Sequence, residues 1–406
     1  MLFLAFLLFP FAQERLVIFG IPVYALEFLT ILSGSAFLFG IWKGSIAVKR
    51  IPRGLLWGAG LLFGGAAISL LMNGVDREGL GALKSWILFP MLFAFLAYQG
   101  ISTPSQKNAA LLLWFVGISL VASATFLIPS LSTETYDGRL RSFFPSPNHL
   151  AMFLVPGAVI GSFLLSRCMK PLPKGGLTPN LFVIALMLSI VIGALLKTES
   201  LGGVVGFASA VAVLLASSSL QPHILRKSAP ILFLCAVAIV GCIAFSVDWA
   251  SLASGETRTS LGSRVMIWNT SLSLITEHPV AGIGMRNFEE AYLALQPFFP
   301  SYLEWAVPHP HNIVLAFWLF TGVVGLIGFL TLVILTVSSL LDRLSSGTDP
   351  EARRFHGLML ALLVALLVQG LVDTPYFRND LSFFFWAIVA LSAILSGDGK
   401  RGSDAS

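Results

Sequence analysis

The sequence predicts an all-α polytopic membrane protein of about 12 transmembrane helices, with one large outward loop carrying short amphipathic helices. Two observations lead there. Of 406 residues, 56% are hydrophobic and 11% charged, against about 25% charged in a typical soluble domain. Apolar runs of about 20 residues, the length that crosses a bilayer as a helix, recur along the whole chain.

Twelve apolar segments can be read in order, at roughly 1–12, 24–42, 54–73, 82–99, 108–128, 148–166, 180–196, 202–218, 229–247, 311–341, 357–372 and 381–396. The first is short. It lacks a basic leader and a small-residue cleavage site, so it reads as a retained helix. The eighth is rich in small residues (Gly202, Gly203, Gly206, Ala208, Ser209, Ala210), which suits close helix packing. The domain plan is then 1–247 for the first nine helices, 248–310 for the large loop, 311–396 for the last three helices and 397–406 for a cytoplasmic tail.

Orientation follows from the basic residues, which concentrate on the cytoplasmic side. One alternate set of loops holds Lys43, Lys49, Arg50, Arg53, Lys107, Arg167, Lys170, Lys174, Arg226, Lys227, Arg343, Arg353, Arg354, Lys400 and Arg401. Both termini then lie inside. Arg139, Arg141, Arg264, Arg286 and Arg378 fall on the opposite side, against the rule, and need a local reason. The net charge of +5 is a loop effect, since there is no Lys/Arg block of the kind that binds nucleic acid. The three cysteines, Cys168, Cys235 and Cys242, suggest neither a disulfide framework nor a metal site.

Within the large loop, Ser263 to Glu277 reads as an amphipathic helix with Val265, Trp268, Leu272 and Ile275 on one face and Ser263 as N-cap. His278-Pro279 ends it, Gly282-Ile283-Gly284 turns, and a shorter helix follows from Phe288 to Leu295.

Chemistry-bearing residues gather where aqueous loops meet apolar runs. The sequence Val307-Pro-His309-Pro-His311-Asn312 opens the tenth segment. An imidazole seated at that helix N-terminus is favoured in its neutral form, able to take a proton from a sugar hydroxyl, with Asn312 orienting the ring or the substrate. The alternative is an interfacial cap, with His309 a spacer. Arg264 in the first turn of its helix opposes the helix dipole. It is tolerated where an anion binds, or where a carboxylate or lipid headgroup meets it. Arg139 and Arg141, two apart, project to one side of an extended segment and make either a second anion contact or a headgroup pair. They lead into Asn148. Asp373, Tyr376, Arg378, Asn379 and Asp380 form a polar knot between the last two segments, supporting a site or pinning a loop. No Asp-x-Asp pair, Walker-type loop or zinc spacing is present.

These residues resemble the O-antigen ligase and Wzy polymerase superfamily of envelope glycosyltransferases. The ligase pattern His-[Asn/Ser/Gln]-x9-Gly-x2-[Gly/Thr/Tyr] is met by His311, Asn312, Gly322 and Gly325. Ser263-Arg264, Trp268, His278-Pro279, Gly282, Gly284 and Phe288 fit the preceding segment. Arg139, Phe144, Pro147 and Asn148 fit the earlier loop, with Ser142 where the family has glycine. Asp373 with Pro375 looks like the family's acidic position. One departure stands out: many members carry Ser-Arg where this chain has Ser200-Leu201. Lys197, Arg139 or Arg141 then stands in for that arginine, Lys197 being favoured, or the activity is altered.

The resemblance implies a GT-C-like fold in the bacterial inner membrane, multi-pass, with its site facing the periplasm. It implies a metal-independent, inverting transfer without cofactor. A glycan on undecaprenyl pyrophosphate is the donor. Either lipid A–core (ligase) or another lipid-linked glycan (polymerase) is the acceptor, with membrane lipids as the other partners and no nucleic acid. His311 would be the base and Arg264 the pyrophosphate contact, with Arg139, Arg141, Lys197, Asn148, Asn312, His309 and Asp373 binding substrate. A transporter, the reading from another class, would want polar or broken helices meeting near the midplane. Here charges inside the apolar segments are few, Glu27 being an exception.

Overall fold

The computed structural model describes residues 1–9, 15–18, 21–135, 137–168, 180–219, 260–298, 307–346 and 349–394. The expected apolar segment 229–247, its Cys235 and Cys242, most of the loop before Ser260 and the tail 397–406 lie outside these residues. Helices dominate. They are α1 (Leu2–Leu7), α2 (Ala25–Trp42), α3 (Arg53–Met72), α4 (Arg77–Ala82), α5 (Phe89–Gly100), α6 (Pro104–Leu127), α7 (Pro147–Cys168), α8 (Asn180–Lys197) and α9 (Leu201–Ser219). After these come α10 (Ser260–Glu277), α11 (Phe288–Leu295), α12 (Ile313–Ser346), α13 (Pro350–Gln369) and α14 (Asn379–Ala393).

Among the described residues, eight helical stretches are long and apolar enough to cross a membrane. This is an all-α, multi-pass membrane architecture. Helix α13, charged in its first turns, and the 15-residue α14 are enclosed almost throughout by the others. Burial inside the bundle lets a short or partly charged helix sit where lipid would otherwise have to cover it.

The N-terminal reading needs correction. Helix α1 stops at Leu7, and an antiparallel hairpin, β1 (Arg15–Ile18) with β2 (Ile21–Tyr24), follows. Each run holds two or three β-branched or aromatic residues (Val17 and Ile18; Ile21, Val23 and Tyr24), and only two residues separate them, which is a hairpin pattern. The hairpin falls between the expected segments 1–12 and 24–42, in a stretch given no structure from sequence.

Close helix contacts run through small residues. On α12, Gly328 lies against the backbone of Gly58 and Leu62 in α3, and Gly65 lies against the backbone of Gly325. The small face of α9 is used in the same way: Gly203 meets Ala151 of α7, and Gly206 meets the Ala365 carbonyl of α13. Such contact replaces the hydrophobic drive that lipid removes.

Helix α12 is broken at Gly322, whose φ of 67° and ψ of 177° no helix accommodates. The break is filled. The turn after α10 enters it, so that Ile283 and Gly284 donate to the Leu319 carbonyl (2.8 and 3.1 Å) while Val323 donates to Val280 (3.0 Å). The loop's backbone thus satisfies groups that the missing helical turn leaves unpaired.

Helix α10 also differs from its expected form. It starts at Ser260, which puts Ser263 inside the first turn and Arg264 a turn further in. Its buried residues are Met266, Ile267, Thr270, Ser271, Leu274 and Ile275, whereas Leu272 is exposed. The Thr270 and Ser271 hydroxyls donate to the Met266 and Ile267 carbonyls (3.0 and 2.7 Å). Satisfied in this way, they can be buried at the place a hydropathy reading reserves for apolar side chains.

Candidate active site

Helix α13 ends at Gln369, and the carbonyls beyond its last turn need donors from elsewhere. Two distant segments, 311–313 and α10, meet this turn, taking the carbonyls of Gly370, Leu371 and Val372 and the carboxylate of Asp373. Ile313 N–H donates to Gly370 O (2.7 Å). The Asn312 amide donates to Leu371 O (3.0 Å). Arg264 Nε donates to Val372 O (2.7 Å). His311 Nδ1 lies 3.2 Å from the Asp373 carboxylate. One short turn therefore brings His311 and Arg264 into one place.

Asn312 is the N-cap of α12: its side-chain oxygen accepts from Val314 and Leu315 N–H (2.9 and 3.1 Å). The helix begins at Ile313, so His311 stands just outside it rather than as its first residue. Its φ is 49°, a left-handed backbone that a non-glycine residue rarely adopts. The carbonyl of His311 is pinned by Trp268 Nε1 (3.1 Å), four residues beyond Arg264 on α10. One face of α10 thus holds both sides of the site. With Nδ1 enclosed and facing Asp373, Nε2 is the imidazole nitrogen left for a substrate.

The histidines form a row. The His309 ring centre is 4.3 Å from that of His311 and 5.4 Å from that of His149. His149 Nδ1 shares a hydrogen bond with Ser146 Oγ (2.8 Å). Burial, then the charges of His311 and His149, push the His309 imidazolium well below the ordinary histidine value. Burial alone would raise the Asp373 acid. Its contact with His311 and the charges of His311, His309 and Arg264 outweigh burial and hold the carboxyl well below the usual carboxylate range. Burial works against the Arg264 charge and nearby Asp373 supports it, while Arg139 opposes it.

Arg139 comes from the loop between α6 and α7. It donates to the Thr198 carbonyl at the end of α8 (2.9 Å) and to Asn148 Oδ1 at the start of α7 (3.2 Å). It follows a turn at Asp137–Gly138, where Gly138 has a φ of 77°, and Leu140 bridges antiparallel to Glu134. Arg141 turns to the Phe144 carbonyl at 3.4 Å, so the two arginines serve different partners. Ser142 has a φ of 56°. That is the left-handed conformation which glycine, the residue the resemblance expects there, adopts freely. Lys197 offers its backbone carbonyl to Leu140 N–H (2.9 Å), and its side chain points to the exposed exterior. Leu201, the position of the absent arginine, is exposed at the first turn of α9. At this corner the guanidinium that is present and half-buried is that of Arg139.

The knot before α14 both supports and pins. Asp373 faces His311. Arg378 pairs with Asp380 through Nε at 2.6 Å and lies 4.8 Å over the Phe144 ring. Tyr376 accepts from Trp386 Nε1 (3.0 Å). Sequence reasoning did not single out His149 or Ser146. The visible signal was that Pro147-Asn148-His149 opens one helix much as His311-Asn312 opens another. His309, His311 and Asp373 also place one donor atom each within 4.8 Å of one another, a set able to hold a metal ion.

The fold and this site define a multi-pass membrane protein with a histidine–aspartate–arginine centre where loops join the helices. Residues 184–330 match the Wzy_C family model, described as O-antigen ligase. The match spans Lys197, Arg264, His309, His311, Asn312 and Gly322. Over that stretch the chain resembles the O-antigen ligase family. A search of curated proteins finds no match.

Proposed function

We propose that the protein transfers a glycan from undecaprenyl pyrophosphate to a sugar hydroxyl of lipid A–core, on the periplasmic face of the inner membrane. The observation that carries this reading is the seating of His311 and Arg264 on one turn, Val372–Asp373. With Nδ1 directed at Asp373, 3.2 Å away, His311 is oriented so that Nε2 is left for the acceptor. As Nε2 takes the hydroxyl proton, the oxygen attacks the anomeric carbon from the face opposite the pyrophosphate, inverting it. The carbon–oxygen bond to pyrophosphate breaks, and both bonding electrons leave with the phosphate oxygen. Arg264 and Arg139 meet the charge that develops there, a role for preorganised cations. In this reading Arg139 fills the place of the arginine missing at Leu201, in preference to Lys197. His309 and Asn312 hold the shape of the site, and Asn148 positions Arg139.

The second reading is a polymerase, which differs only in acceptor. Purified protein is given the lipid-linked donor with lipid A–core in one reaction and a second lipid-linked glycan in the other, both with EDTA. Extension of lipid A–core is expected. Extension of the lipid-linked glycan alone identifies the polymerase. Activity that needs added divalent metal overturns the base mechanism and assigns His309, His311 and Asp373 to a metal.

Arg264→Lys is expected to retain part of the activity. Arg264→Ala should lose about 10²-fold or more in kcat, because it removes both the cation and the bond to Val372. Equal rates for the two variants and wild type would show that Arg264 carries no developing charge.

A further inference from the structure

A cavity of about 390 Å³, apart from the candidate active site, lies between the end of β2, helix α4, the turn at Arg286 and the start of α14. From this cavity we propose a site for a phosphorylated saccharide, belonging to the acceptor; its assignment to the acceptor rests on the transferase reading above. The volume falls in the range of small-ligand sites. Three cations line it, Arg77 and Lys84 from the continuous α4–α5 helix and Arg286 from the turn before α11, against one lining carboxylate, Glu78. Glu78 stands 3.3 Å from Arg286. Lys84 is held 2.5 Å from Glu27, whose side chain is buried behind it. That ion pair accounts for the acid in the second apolar segment: it aims an ammonium at the cavity.

Two aromatic rings, Tyr24 and Trp86, complete the lining. The Trp86 ring is fixed by its indole N–H, which donates to Asn379 Oδ1 (3.0 Å). Guanidinium and ammonium groups recognise phosphate, and flat aromatic faces suit the C–H face of a pyranose. Lys84, Ser85 and Trp86 all sit on a π-helical turn, Leu83–Leu88, interrupting the α4–α5 helix. Such turns are uncommon and recur at functional sites. The link to the first site is direct. The same turn that begins with Gly370 and presents Asp373 to His311 ends with Asn379 in the wall of this cavity. A saccharide anchored here lies beside the segment that positions the base.

The test uses full-length protein in a polyoxyethylene detergent, which contains neither sugar nor phosphate. Saturation-transfer NMR is recorded with glucose 6-phosphate, glucose and glycerol 3-phosphate, on wild type and on the Arg77→Gln/Arg286→Gln double variant. Both substitutions are on exposed side chains, and an unchanged melting temperature confirms folding. Signal is expected from glucose 6-phosphate, at least tenfold weaker for glucose and for the double variant. Equal signals from glucose, or an undiminished signal in the variant, overturn the site. An equal signal from glycerol 3-phosphate makes it a headgroup site and overturns the saccharide. None of these measurements needs turnover, so they stand apart from the role of His311. In the transfer assay the double variant should raise KM for the acceptor about tenfold and leave kcat and donor KM unchanged. A rise in donor KM instead overturns the acceptor assignment.

Discussion

His311→Ala is expected to reduce glycan transfer by about 10²–10⁴-fold, the range that a positioned general base contributes, with unchanged protein in the membrane. Three observations make this the most sensitive position. Its Nδ1 faces a buried carboxylate at 3.2 Å, its carbonyl is tied to Trp268, and its φ is 49°. The backbone is thus held in a costly conformation that aims the ring. His311→Asn separates the two contributions, since asparagine tolerates left-handed φ while lacking a base. It should be as stable as wild type and as inactive as the alanine variant. Asp373→Asn should lower kcat less, by about 10–10²-fold, and shift the pH profile, because it loosens the ring without removing it. Near-normal product from either His311 variant, measured per amount of membrane protein, would remove the base.

Gly322→Ala is expected to cost about 3 kcal/mol or more of stability, from backbone strain and collision together. A Cβ at this position would stand 2.4 Å from the Val280 carbonyl, at a φ of 67°. Neither neighbour can give: Val280 belongs to the turn that fills the break in α12, and a Cβ added to Gly282 on the same turn would be equally close to the Leu319 carbonyl, at 2.3 Å. A lowered melting temperature and loss of activity should appear together. Gly60→Ala, where a Cβ meets nothing within 4 Å, is the control and should be neutral or slightly stabilising. A Gly322→Ala variant as stable as wild type would show that the turn does not need to enter the helix.

The membrane helices were legible because each needs a long apolar run. Helix α11 was legible because Gly284 and its neighbours mark the start and the amphipathic spacing marks the length. The pairing of His311 with Arg264 was visible only through the resemblance; no local pattern joins residues 47 positions apart. What pattern reading missed has one cause. Hydropathy counts side chains, whereas this site is built largely on backbone carbonyls. The buried face of α10 was misassigned because Thr270 and Ser271 satisfy themselves on their own helix. Arg139 was one of three candidates for the α8–α9 corner, and its partner there, the carbonyl of Thr198, leaves no mark in sequence to prefer it. Lys197 looked better by position alone.

The turn after α13 has a consequence for how this chain can vary. Its wiring to Ile313, Asn312 and Arg264 runs through the oxygens of Gly370, Leu371 and Val372, which every amino acid possesses. The letter at 371 is therefore free to drift while the path of the chain is kept, whereas Val372 also packs its side chain against Gly202 and Asp373 uses its carboxylate. Two homologues could preserve the same architecture here and share almost no spelling.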